Sequence, residues 1–538
     1  MKFRPFAKGL SSTSLILFTA LFITATGNLT FMANVLNTYP PGSGNVSNLA
    51  SLAFVFLAAN TLLLAMTSLG RATKPVLIFF LLLSAPAAYF IDSYGIVISD
   101  EMLQNVVQTN AAEAFDLITE KMVFYIVLLG VLPAAIIAKI PCPWRGWLPE
   151  LKARALLIVI LLATAAAVVM ASSGFFASFA REHKSLRTHA NPSYTLYSAI
   201  KYASQAITSR QPKTLKVMGA DAHIPAADQG RELIILVVGE TARADRFSIN
   251  GYARETSPQL QAAQAISFSN FRACGTSTAV SVPCMFSASG MADFDLKKEG
   301  TQENLLDVLR HAGINVLWLD NNSDSKGVAI RTPYQDYKTP ERNPVCDLEC
   351  RDEGMLSKLQ DYIDNHPTGD IFIVLHQMGN HGPAYYKRYP PEFEKFRPAC
   401  KNNELGKCST EEISNAYDNA ILYTDHFLGK AIALLKQNDA SFETGLFYVS
   451  DHGESLGENG LFLHGLPRAI APDSQLLVPA IIWLGSGFRD IDKPAMLKKR
   501  KDRFSHDNVF HTILGMMEIG TELYRPELDL LGCCKIPD

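Results

Sequence analysis

The sequence predicts an α/β protein with an N-terminal transmembrane domain of five helices and a C-terminal domain whose largely parallel sheet is covered by helices. Two observations carry this prediction. Residues 1–172 are mostly apolar, whereas the rest of the 538-residue chain has the mixed composition of a globular protein. Beyond residue 231, short apolar runs alternate with helical patterns, which is typical of a parallel sheet. We therefore expect a transmembrane domain over 1–172, an interfacial linker over 173–230 and a globular domain over 231–538.

Five apolar stretches in the first part have the length of membrane-spanning helices, which need roughly 20 mostly apolar residues. They lie near residues 14–36, 49–69, 75–92, 122–138 and 155–172. Nine Lys and Arg residues fall on one set of connections and one on the other. Since positive charge stays in the cytoplasm, the N terminus is expected there and the C-terminal domain outside. A cleaved signal peptide is the alternative for the first stretch, although four further stretches follow it.

Charge and cysteine content narrow the class of protein. The net charge is −3, without a block of Lys and Arg, which argues against a nucleic-acid-binding surface. Eight of the nine cysteines lie in the part expected outside the cytoplasm. An oxidising compartment permits small disulfide loops there, and three local pairs are candidates: Cys274 with Cys284, Cys346 with Cys350, and Cys400 with Cys408. The adjacent residues Cys533 and Cys534 do not suit a simple bridge.

Polar side chains follow four apolar runs of the C-terminal domain. These runs, near 233–238, 314–319, 371–375 and 446–449, are expected to be buried strands. In a parallel sheet, ligands bind at the carboxyl ends of the strands. The side chains expected at this edge are Glu240, Asn322, His381, Asp451, His452 and Glu454. Carboxylate oxygen combined with imidazole nitrogen suits zinc or manganese better than calcium, so the sequence predicts a metal site at this edge.

Each of these residues also has an ordinary structural interpretation. Glu240 would complement the dipole of a helix that begins there, and Asn322 would suit a turn. His381 and His464 would be loop histidines with satisfied hydrogen bonds, and Lys326 would be a solvated lysine. The concurrence of four strand ends favours the metal site over these separate explanations.

A loop between two cysteines, residues 274–284, contains a candidate nucleophile. Four of its residues carry hydroxyl groups: Thr276, Ser277, Thr278 and Ser281. A hydroxyl needs a base or a metal to become a good nucleophile, and the N terminus of a helix within the loop would favour a phosphate. Spacing does not choose among the four, and a hydroxyl-rich disulfide loop without chemistry is the alternative.

A polar stripe interrupts the second loop expected outside the membrane. Asn105, Thr109 and Glu113 are spaced by four, so on a helix they share one face. This face would hold a lipid headgroup, or it would be the solvated face of a connecting helix.

The ordered motifs of the chain resemble the phosphoethanolamine transferases that modify lipid A, including the mobile colistin-resistance type. The resemblance covers nearly the whole chain, and its fold is similar to that of the alkaline-phosphatase and sulfatase superfamily. The shared motifs are Val-Val-Gly-Glu-Thr-Ala-Arg-Ala-Asp at 237–245, Cys-Gly-Thr-Ser-Thr-Ala-Val-Ser-Val-Pro-Cys at 274–284, Asp-Asn-Asn-Ser-Asp-Ser-Lys at 320–326, Gly-Asn-His-Gly-Pro-Ala-Tyr at 379–385 and Ser-Asp-His-Gly-Glu-Ser-Leu-Gly-Glu-Asn-Gly at 450–460.

The resemblance implies a role for each matching residue. Thr278 would be the phosphorylated nucleophile, and one zinc ion would be held by Glu240, Thr278, Asp451 and His452. Substrate contacts would come from Asn105, Thr109, Glu113, Asn322, Ser323, Lys326, His381, Glu454 and His464. His381 or His464 would act as general acid, and a second zinc ion near these histidines is compatible with the pattern.

The resemblance also implies a reaction and a location. Phosphatidylethanolamine would be the donor and a phosphate of lipid A the acceptor, in the inner membrane with the catalytic domain in the periplasm. The product would confer polymyxin and colistin resistance, and a monomer is expected. Three alternatives are a membrane sulfatase, a phosphoethanolamine or phosphoglycerol transferase acting on another glycan such as a core sugar, and a non-catalytic lipid-binding membrane protein. Thr at the nucleophile position argues against the usual sulfatase, which has Cys or Ser there.

Overall fold

The computed structural model of the chain describes residues 9–43, 45–109, 111–209, 214–228 and 230–536. The chain divides into two compact units, Met1–Leu103 with Ile118–Ser204, and Gln104–Leu117 with Gln205–Asp538. The division near residue 204 falls inside the segment predicted to be a linker. Residues 104–117 belong to the second unit, although they lie among the apolar helices in the sequence.

The N-terminal part of the chain is helical throughout. Its helices are α1 (Ser12–Thr26), α2 (Leu29–Thr38), α3 (Val46–Thr67), α4 (Thr73–Tyr94), α5 (Asp100–Gln108), α6 (Ala111–Asp116), α7 (Glu120–Tyr125), α8 (Leu132–Lys139), α9 (Trp147–Ala171), α10 (Ser173–Glu182), α11 (Lys184–Arg187) and α12 (Ser193–Ser209). A π-helical turn, Ile126–Val131, joins α7 to α8. In the first unit, α1, α3, α4 and α8 share an apolar core.

Within the described residues, four helical runs are long and apolar enough to cross a membrane: Val46–Thr67, Gly70–Tyr94, Glu120–Lys139 and Trp147–Ala171. The first predicted stretch, 14–36, is instead the pair α1 and α2, bent by 61°. The bend lies at Gly27 and Asn28, where the side chain of Asn28 donates to the carbonyl groups of Ile23 and Asn191. If this pair is one broken span, the number of spans is five.

The second unit is built around a sheet of eight strands within the described part of the chain, in the order β10-β2-β9-β6-β1-β5-β3-β4. The strands are β1 (Glu232–Gly239), β2 (Ile266–Arg272), β3 (Asn315–Asp320), β4 (Tyr334–Asp336), β5 (Ile371–His376), β6 (Glu443–Ser450), β9 (Leu477–Leu484) and β10 (Phe504–Ser505). A hairpin pairs β7 (Ser455–Leu456) with β8 (Phe462–Leu463).

The helices of this unit are α13 (Pro258–Ala262), α14 (Thr278–Met285), α15 (Gly290–Asp293), α16 (Leu296–Glu299), α17 (Leu305–His311), α18 (Leu359–Asp364), α19 (Thr410–Asn438), α20 (Asp473–Leu476), α21 (Lys493–Lys499) and α22 (Asp507–Met516). The longest, α19, begins with a capping box, in which the side chain of Ser409 accepts from the Glu412 N–H and the Glu412 carboxylate accepts from the Ser409 N–H.

The four strands predicted from apolar runs are neighbours in the centre of the sheet, and they run parallel in the order β6, β1, β5, β3. Every residue of β1 is buried, which explains its continuous apolar sequence. The expectation of a parallel sheet holds for this centre, but β9 runs antiparallel to both β6 and β2. The carboxyl ends of the four central strands therefore meet at one edge.

Candidate metal centre and substrate site

Three ligand atoms converge where β1 and β6 end. Glu240 follows β1, and Asp451 and His452 follow β6; all three side chains are fully buried. The Nε2 atom of His452 lies 3.4 Å from Oε1 of Glu240 and 3.3 Å from Oδ2 of Asp451. Among the described residues, these three atoms have no hydrogen-bond partner, although buried polar atoms rarely lack one.

The donor set of this group fits a zinc ion. The Nδ1 atom of His452 lies 2.9 Å from the carbonyl oxygen of Gly453, which only accepts, so Nδ1 carries the hydrogen and Nε2 presents a lone pair. Within the part of the chain that the structure describes, Glu240, Asp451 and His452 are the group of three side chains whose ligand atoms lie within 4.8 Å of one another. Carboxylate oxygen and imidazole nitrogen are both ligands that zinc takes in proteins.

The electrostatics of the group also favour a bound cation. Burial, with the Asp451 carboxylate nearby, raises the pKa of Glu240 to about 8, and burial raises the pKa of Asp451 to about 7. Burial, with the neighbouring His464, lowers the pKa of His452 to about 4. Two buried carboxylates resist ionisation side by side, and a divalent cation would favour the ionised form of both.

Thr278 is the hydroxyl residue of the 274–284 loop that faces this group. It is the first residue of α14, and its Oγ1 donates to Oε2 of Glu240 at 3.0 Å. The hydroxyl of Thr276 donates instead to the carbonyl of Leu466 at 2.6 Å, and the hydroxyl of Ser281 accepts from the N–H of Gly275 at 3.0 Å. The geometry thus distinguishes Thr278 from two of the hydroxyl groups that spacing left open.

Disulfide bonds close three loops of the second unit within the described residues. They join Cys274 to Cys284, Cys346 to Cys350, and Cys400 to Cys408, which are the pairs predicted from the sequence. The first of them encloses the hydroxyl residues before and within α14.

A chain of hydrogen bonds leads from Glu240 to Lys326. Asn322 donates from Nδ2 to Oε2 of Glu240 at 2.8 Å and accepts at Oδ1 from the hydroxyl of Ser323 at 2.9 Å. Lys326 donates from Nζ to the hydroxyl of Ser323 at 2.7 Å and to the carbonyl of Gln108 at 3.2 Å. Lys326 is therefore linked to Glu240 of the metal group through Ser323 and Asn322.

Histidines border the other side of the group. The ring of His464 lies 4.3 Å from that of His452 and 5.5 Å from that of His381, measured between centroids. Glu454 accepts from the Tyr385 hydroxyl at 2.9 Å and lies 3.0 Å from Nδ1 of His464. Burial lowers the pKa of His464 to about 4, and burial with His464 nearby also lowers the pKa of His381.

The three residues of the predicted polar stripe lie in or next to two short helices, α5 and α6. Asn105 lies in α5, and the hydroxyl of Thr109 donates to the Asn105 carbonyl at 2.7 Å. Glu113 lies in α6, but its side chain is outside the described residues. The adjacent Gln108 links this segment to Lys326, as described above.

Sequence reasoning missed a buried pair behind the metal group. His376, the last residue of β5, lies with Nδ1 2.9 Å from Oδ2 of Asp320, the last residue of β3. Trp318 donates to the same oxygen at 2.9 Å. Burial alone would lower the pKa of His376, but the carboxylates of Asp320, Glu240 and Asp451 together raise this pKa above its ordinary value. The sequence contained a signal for this pair, because Asp320 and His376 each directly follow a predicted strand.

Arg243 is a second residue that the sequence did not single out. Its guanidinium group is 7 % exposed and donates to both carboxylate oxygens of Asp245, at 2.9 and 2.8 Å. It also donates to Oε1 of Glu458 at 2.5 Å and to the carbonyl of Glu454 at 3.1 Å. Arg243 thus fixes the main chain that carries Glu454, and no local pattern marks such a long-range contact.

The chain is similar to known proteins over nearly its whole length. Residues 56–207 match the family model described as phosphoethanolamine transferase EptA/EptB, and residues 232–519 match the sulfatase family model. The phosphatidylethanolamine transferase Mcr-2 of Escherichia coli is 42 % identical over 512 residues, which are 93 % of this chain and 94 % of that protein. The phosphoethanolamine transferase EptA of Escherichia coli strain K12 is 38 % identical over 530 residues, 97 % and 96 % of the two chains.

A solved structure resembles the whole chain. It is the integral membrane lipooligosaccharide phosphoethanolamine transferase A (EptA) from Neisseria meningitidis, with a TM-score of 0.93 and 36 % identity, covering 98 % of this chain and all of that one. Relatives of this identity and coverage share a family as well as a fold. The strand-end residues around Glu240 and the full-length similarity lead to one conclusion: this chain belongs to the phosphoethanolamine transferase family that includes EptA and the Mcr proteins.

Proposed function

We propose that this chain is a zinc-dependent transferase that moves phosphoethanolamine from phosphatidylethanolamine to a phosphate group of lipid A through a covalent phosphothreonine. The observation that carries the proposal is the contact of the Thr278 hydroxyl with a buried carboxylate whose second oxygen belongs to the metal group. The names of the relatives support the donor and the transferred group.

Glu240, Thr278, Asp451 and His452 would hold the zinc ion. When bound, zinc supplies positive charge that lowers the pKa of a hydroxyl ligand and stabilises negative phosphoryl oxygens. Side chains of the protein orient the nucleophile and transfer its proton. Glu240 orients the Thr278 hydroxyl through the 3.0 Å hydrogen bond, so that a lone pair of Oγ1 is available for attack.

In the first half-reaction, Oγ1 of Thr278 attacks the phosphorus of phosphatidylethanolamine. The new bond joins Oγ1 to phosphorus, the bond from phosphorus to the diacylglycerol oxygen breaks, and the proton of the threonine ends on that oxygen. We assign the transfer of this proton to His381 or His464, acting as general acid. Lys326, held by Ser323, adds positive charge for the phosphoryl group, and Asn105, Thr109, Glu113 and Glu454 are assigned to the donor headgroup.

In the second half-reaction, an oxygen of a lipid A phosphate attacks the phosphothreonine, and Oγ1 of Thr278 leaves and regains its proton. The product carries a diphosphate (P–O–P) linkage and an added ammonium group in place of the terminal phosphate monoester. Its negative charge is lower, so cationic polymyxins would bind it less well. The same reaction would therefore confer colistin resistance.

We place the protein in the bacterial inner membrane with the catalytic unit in the periplasm. Two features support this orientation. Nine Lys and Arg residues lie on the connections assigned to the cytoplasm, and one lies on the connections assigned to the other side. The three disulfide bonds of the second unit suit an oxidising compartment.

The test is mass spectrometry of lipid A from a Gram-negative host without its own phosphoethanolamine transferase. Cells with the wild-type chain should contain lipid A with one added phosphoethanolamine, and cells with Thr278→Ala should not. Thr278→Ser, which keeps a hydroxyl, should retain part of the activity. Ser277→Ala is the matched control, because it removes the neighbouring hydroxyl and should leave the modification unchanged.

Three results would contradict the proposal. Full modification by Thr278→Ala would show that another group is the nucleophile. Unmodified lipid A in wild-type cells, with phosphoethanolamine on a core sugar instead, would identify the alternative glycan acceptor. A wild-type chain that binds lipid but transfers nothing would identify the non-catalytic alternative.

A further inference from the structure

The segment 104–117 is joined to the rest of the second unit by a buried carboxylate. Asp116, at the end of α6, is 6 % exposed. Its Oδ1 accepts from Nζ of Lys387 at 2.5 Å, and its Oδ2 accepts from the guanidinium of Arg388 at 3.1 Å. Its main-chain carbonyl accepts from Nδ2 of Asn403 at 2.8 Å. One residue of the segment thus receives three hydrogen bonds, two of them from cations.

The guanidinium of Arg388 connects this carboxylate to the loop that carries His381. Its side chain is 1 % exposed, and its Nε donates to the carbonyl oxygen of His381 at 2.6 Å. Its Nη1 atom donates to the carboxylate of Glu349, which lies in the loop closed by the Cys346–Cys350 disulfide bond. The planar fork of arginine fixes the relative positions of the groups it binds, which a lysine does not do.

A second contact holds the same segment at Lys326. Nζ of Lys326 donates to the carbonyl oxygens of Gln108 and Ser323, at 3.2 and 2.8 Å. Thr109 follows Gln108 directly in the sequence. The segment is therefore tied at two points, Gln108 and Asp116, to loops that carry residues assigned to the substrate. In the sequence, Thr109 lies between these points and Asn105 lies just before the first of them.

Charge balance makes the Asp116 contact sensitive to small changes. Lys387 and Arg388 face the carboxylates of Asp116 and Glu349, and removal of one carboxylate leaves a buried guanidinium with excess positive charge. A buried charge that loses its partner is strongly destabilising locally, so the segment would separate from Arg388. The His381 loop would keep its bond to Arg388 but lose the fixed position of that side chain.

We propose that Asp116 and Arg388 are positioning residues that set the segment 104–117 against the His381 loop for binding of the lipid donor. This inference rests on the proposed function, because that proposal assigns Asn105 and Thr109 to the donor headgroup. Asp116 acts on donor binding through the segment, and Arg388 acts on both the segment and His381.

The test measures donor turnover by the full-length chain in detergent with labelled phosphatidylethanolamine and a fixed, saturating concentration of lipid A. Asp116→Asn removes the charge at constant shape, and Asp116→Glu keeps it. We expect Asp116→Asn to raise the KM for the donor about tenfold with kcat changed by less than about threefold, as for loss of a hydrogen bond to a charged group. Asp116→Glu should recover most of the wild-type KM.

Arg388→Lys separates the two functions of the arginine, since it keeps a cation for Asp116 but loses the fork that reaches His381. It should lower kcat about tenfold, and the KM should rise less than in Asp116→Asn. Glu255→Gln is the matched control, because it removes an exposed ion pair with Lys395 in the same unit. Its kcat and KM should equal those of the wild type.

A wild-type donor KM in Asp116→Asn would overturn the inference. An equal loss of kcat in all three variants, with unchanged KM and a lower melting temperature, would also overturn it by showing a general structural role. If Asp116→Asn does not fold, Lys387→Gln removes one of the two cations that bind Asp116. A raised donor KM in this variant would support the inference, and a wild-type donor KM would overturn it. An inactive wild-type chain would instead defeat the proposed function, whereas an active wild type with unaffected variants would defeat this inference alone.

Discussion

The hydroxyl of Thr278 and the carboxylate of Glu240 are joined by a 3.0 Å hydrogen bond to Oε2, the oxygen that also accepts from Asn322 at 2.8 Å. The other oxygen, Oε1, has no hydrogen-bond partner among the described residues and lies 3.4 Å from Nε2 of His452. One carboxylate thus orients the proposed nucleophile with one oxygen and has its other oxygen free to bind a metal ion.

Glu240→Gln should abolish zinc binding at this site. The amide keeps the shape but replaces one ligand oxygen with NH₂, so we expect the zinc affinity to fall about a hundredfold or more. Competition with a chelating dye measures the affinity. Zinc should also raise the melting temperature of the chelator-treated wild type, because a ligand that binds only the folded state stabilises it. Glu255→Gln should keep both properties, and wild-type affinity in Glu240→Gln would remove Glu240 from the ligand set.

Gly379→Ala should lower activity beyond its effect on stability. Gly379 has φ +53°, and a Cβ there would lie 2.9 Å from the carbonyl oxygen of Glu240 and 3.1 Å from its Cβ. We expect the free energy of unfolding to fall by about 2–4 kcal/mol, because the added Cβ strains a left-handed backbone and displaces Glu240.

Gly313→Ala is the control for backbone strain. Gly313 has φ +88°, with no described heavy atom within 4 Å of the added Cβ. The free energy of unfolding of Gly313→Ala should fall by about 1–2 kcal/mol because of backbone strain, and its transfer activity should equal that of the wild type. Urea unfolding and the transfer assay separate the two effects, and equal activity in both variants would show that the close approach to Glu240 is unimportant.

Arg243→Lys should reduce transfer activity by about tenfold, because lysine keeps the charge but not the fork that reaches Asp245, Glu458 and the Glu454 carbonyl together. The side chain of Glu454 would then hold His464 less well. The rate of transfer at saturating donor is the measurement. Arg272→Lys, at an exposed pair with Asp473, should have no effect, and a wild-type rate in Arg243→Lys would contradict the role of the fork.

Glu353 should stabilise the second unit in a way that depends on pH. The close approach of His426, whose Nε2 lies 3.6 Å from the carboxylate, and the ion pair with Lys430 lower the pKa of Glu353 from 4.5 to about 2. A depressed carboxyl pKa gives stability that is complete above pH 4.5 and is lost as the pH falls towards 2. Glu353→Gln should therefore be less stable than wild type by about 1 kcal/mol at neutral pH, since Lys430 is half exposed.

The urea unfolding free energies of the two proteins should converge between pH 4.5 and about 2. A constant difference across this range would show that the ionised form of Glu353 is not what stabilises the fold.

The centre of the sheet could be predicted from the sequence because each central strand is a continuous apolar run that ends in polar residues. The strand β9 was missed, and the presence of Pro479 in its sequence explains why, since proline argues against a central strand. The strand β2 was missed because Ser267, Ser269 and Asn270 interrupt its apolar pattern. Tertiary packing overrides these local signals.

The metal group could be predicted because Glu240, Asp451 and His452 each follow a predicted strand. The prediction of Thr278 rests on the resemblance to the family, because the spacing of the four hydroxyl residues in the loop does not distinguish one from another. Contacts such as Arg388 with Asp116 join residues 272 positions apart, and no local pattern indicates them. The polar residues that hold loops in place are therefore visible only in the folded chain.

The reversed direction of β9 affects how the protein can change over evolution. Gln475, just before β9, accepts from the N–H of Gly453 and donates to the carbonyl of Leu463, so the turn entering this strand opens beside the metal group. The turn leaving β9 opens at the opposite edge, where Leu484 pairs with the start of β6. Insertions between residues 464 and 476 would reshape the mouth of the site and the range of acceptors it admits. Insertions after Leu484 would leave both unaltered, so substrate range and metal chemistry can diverge independently.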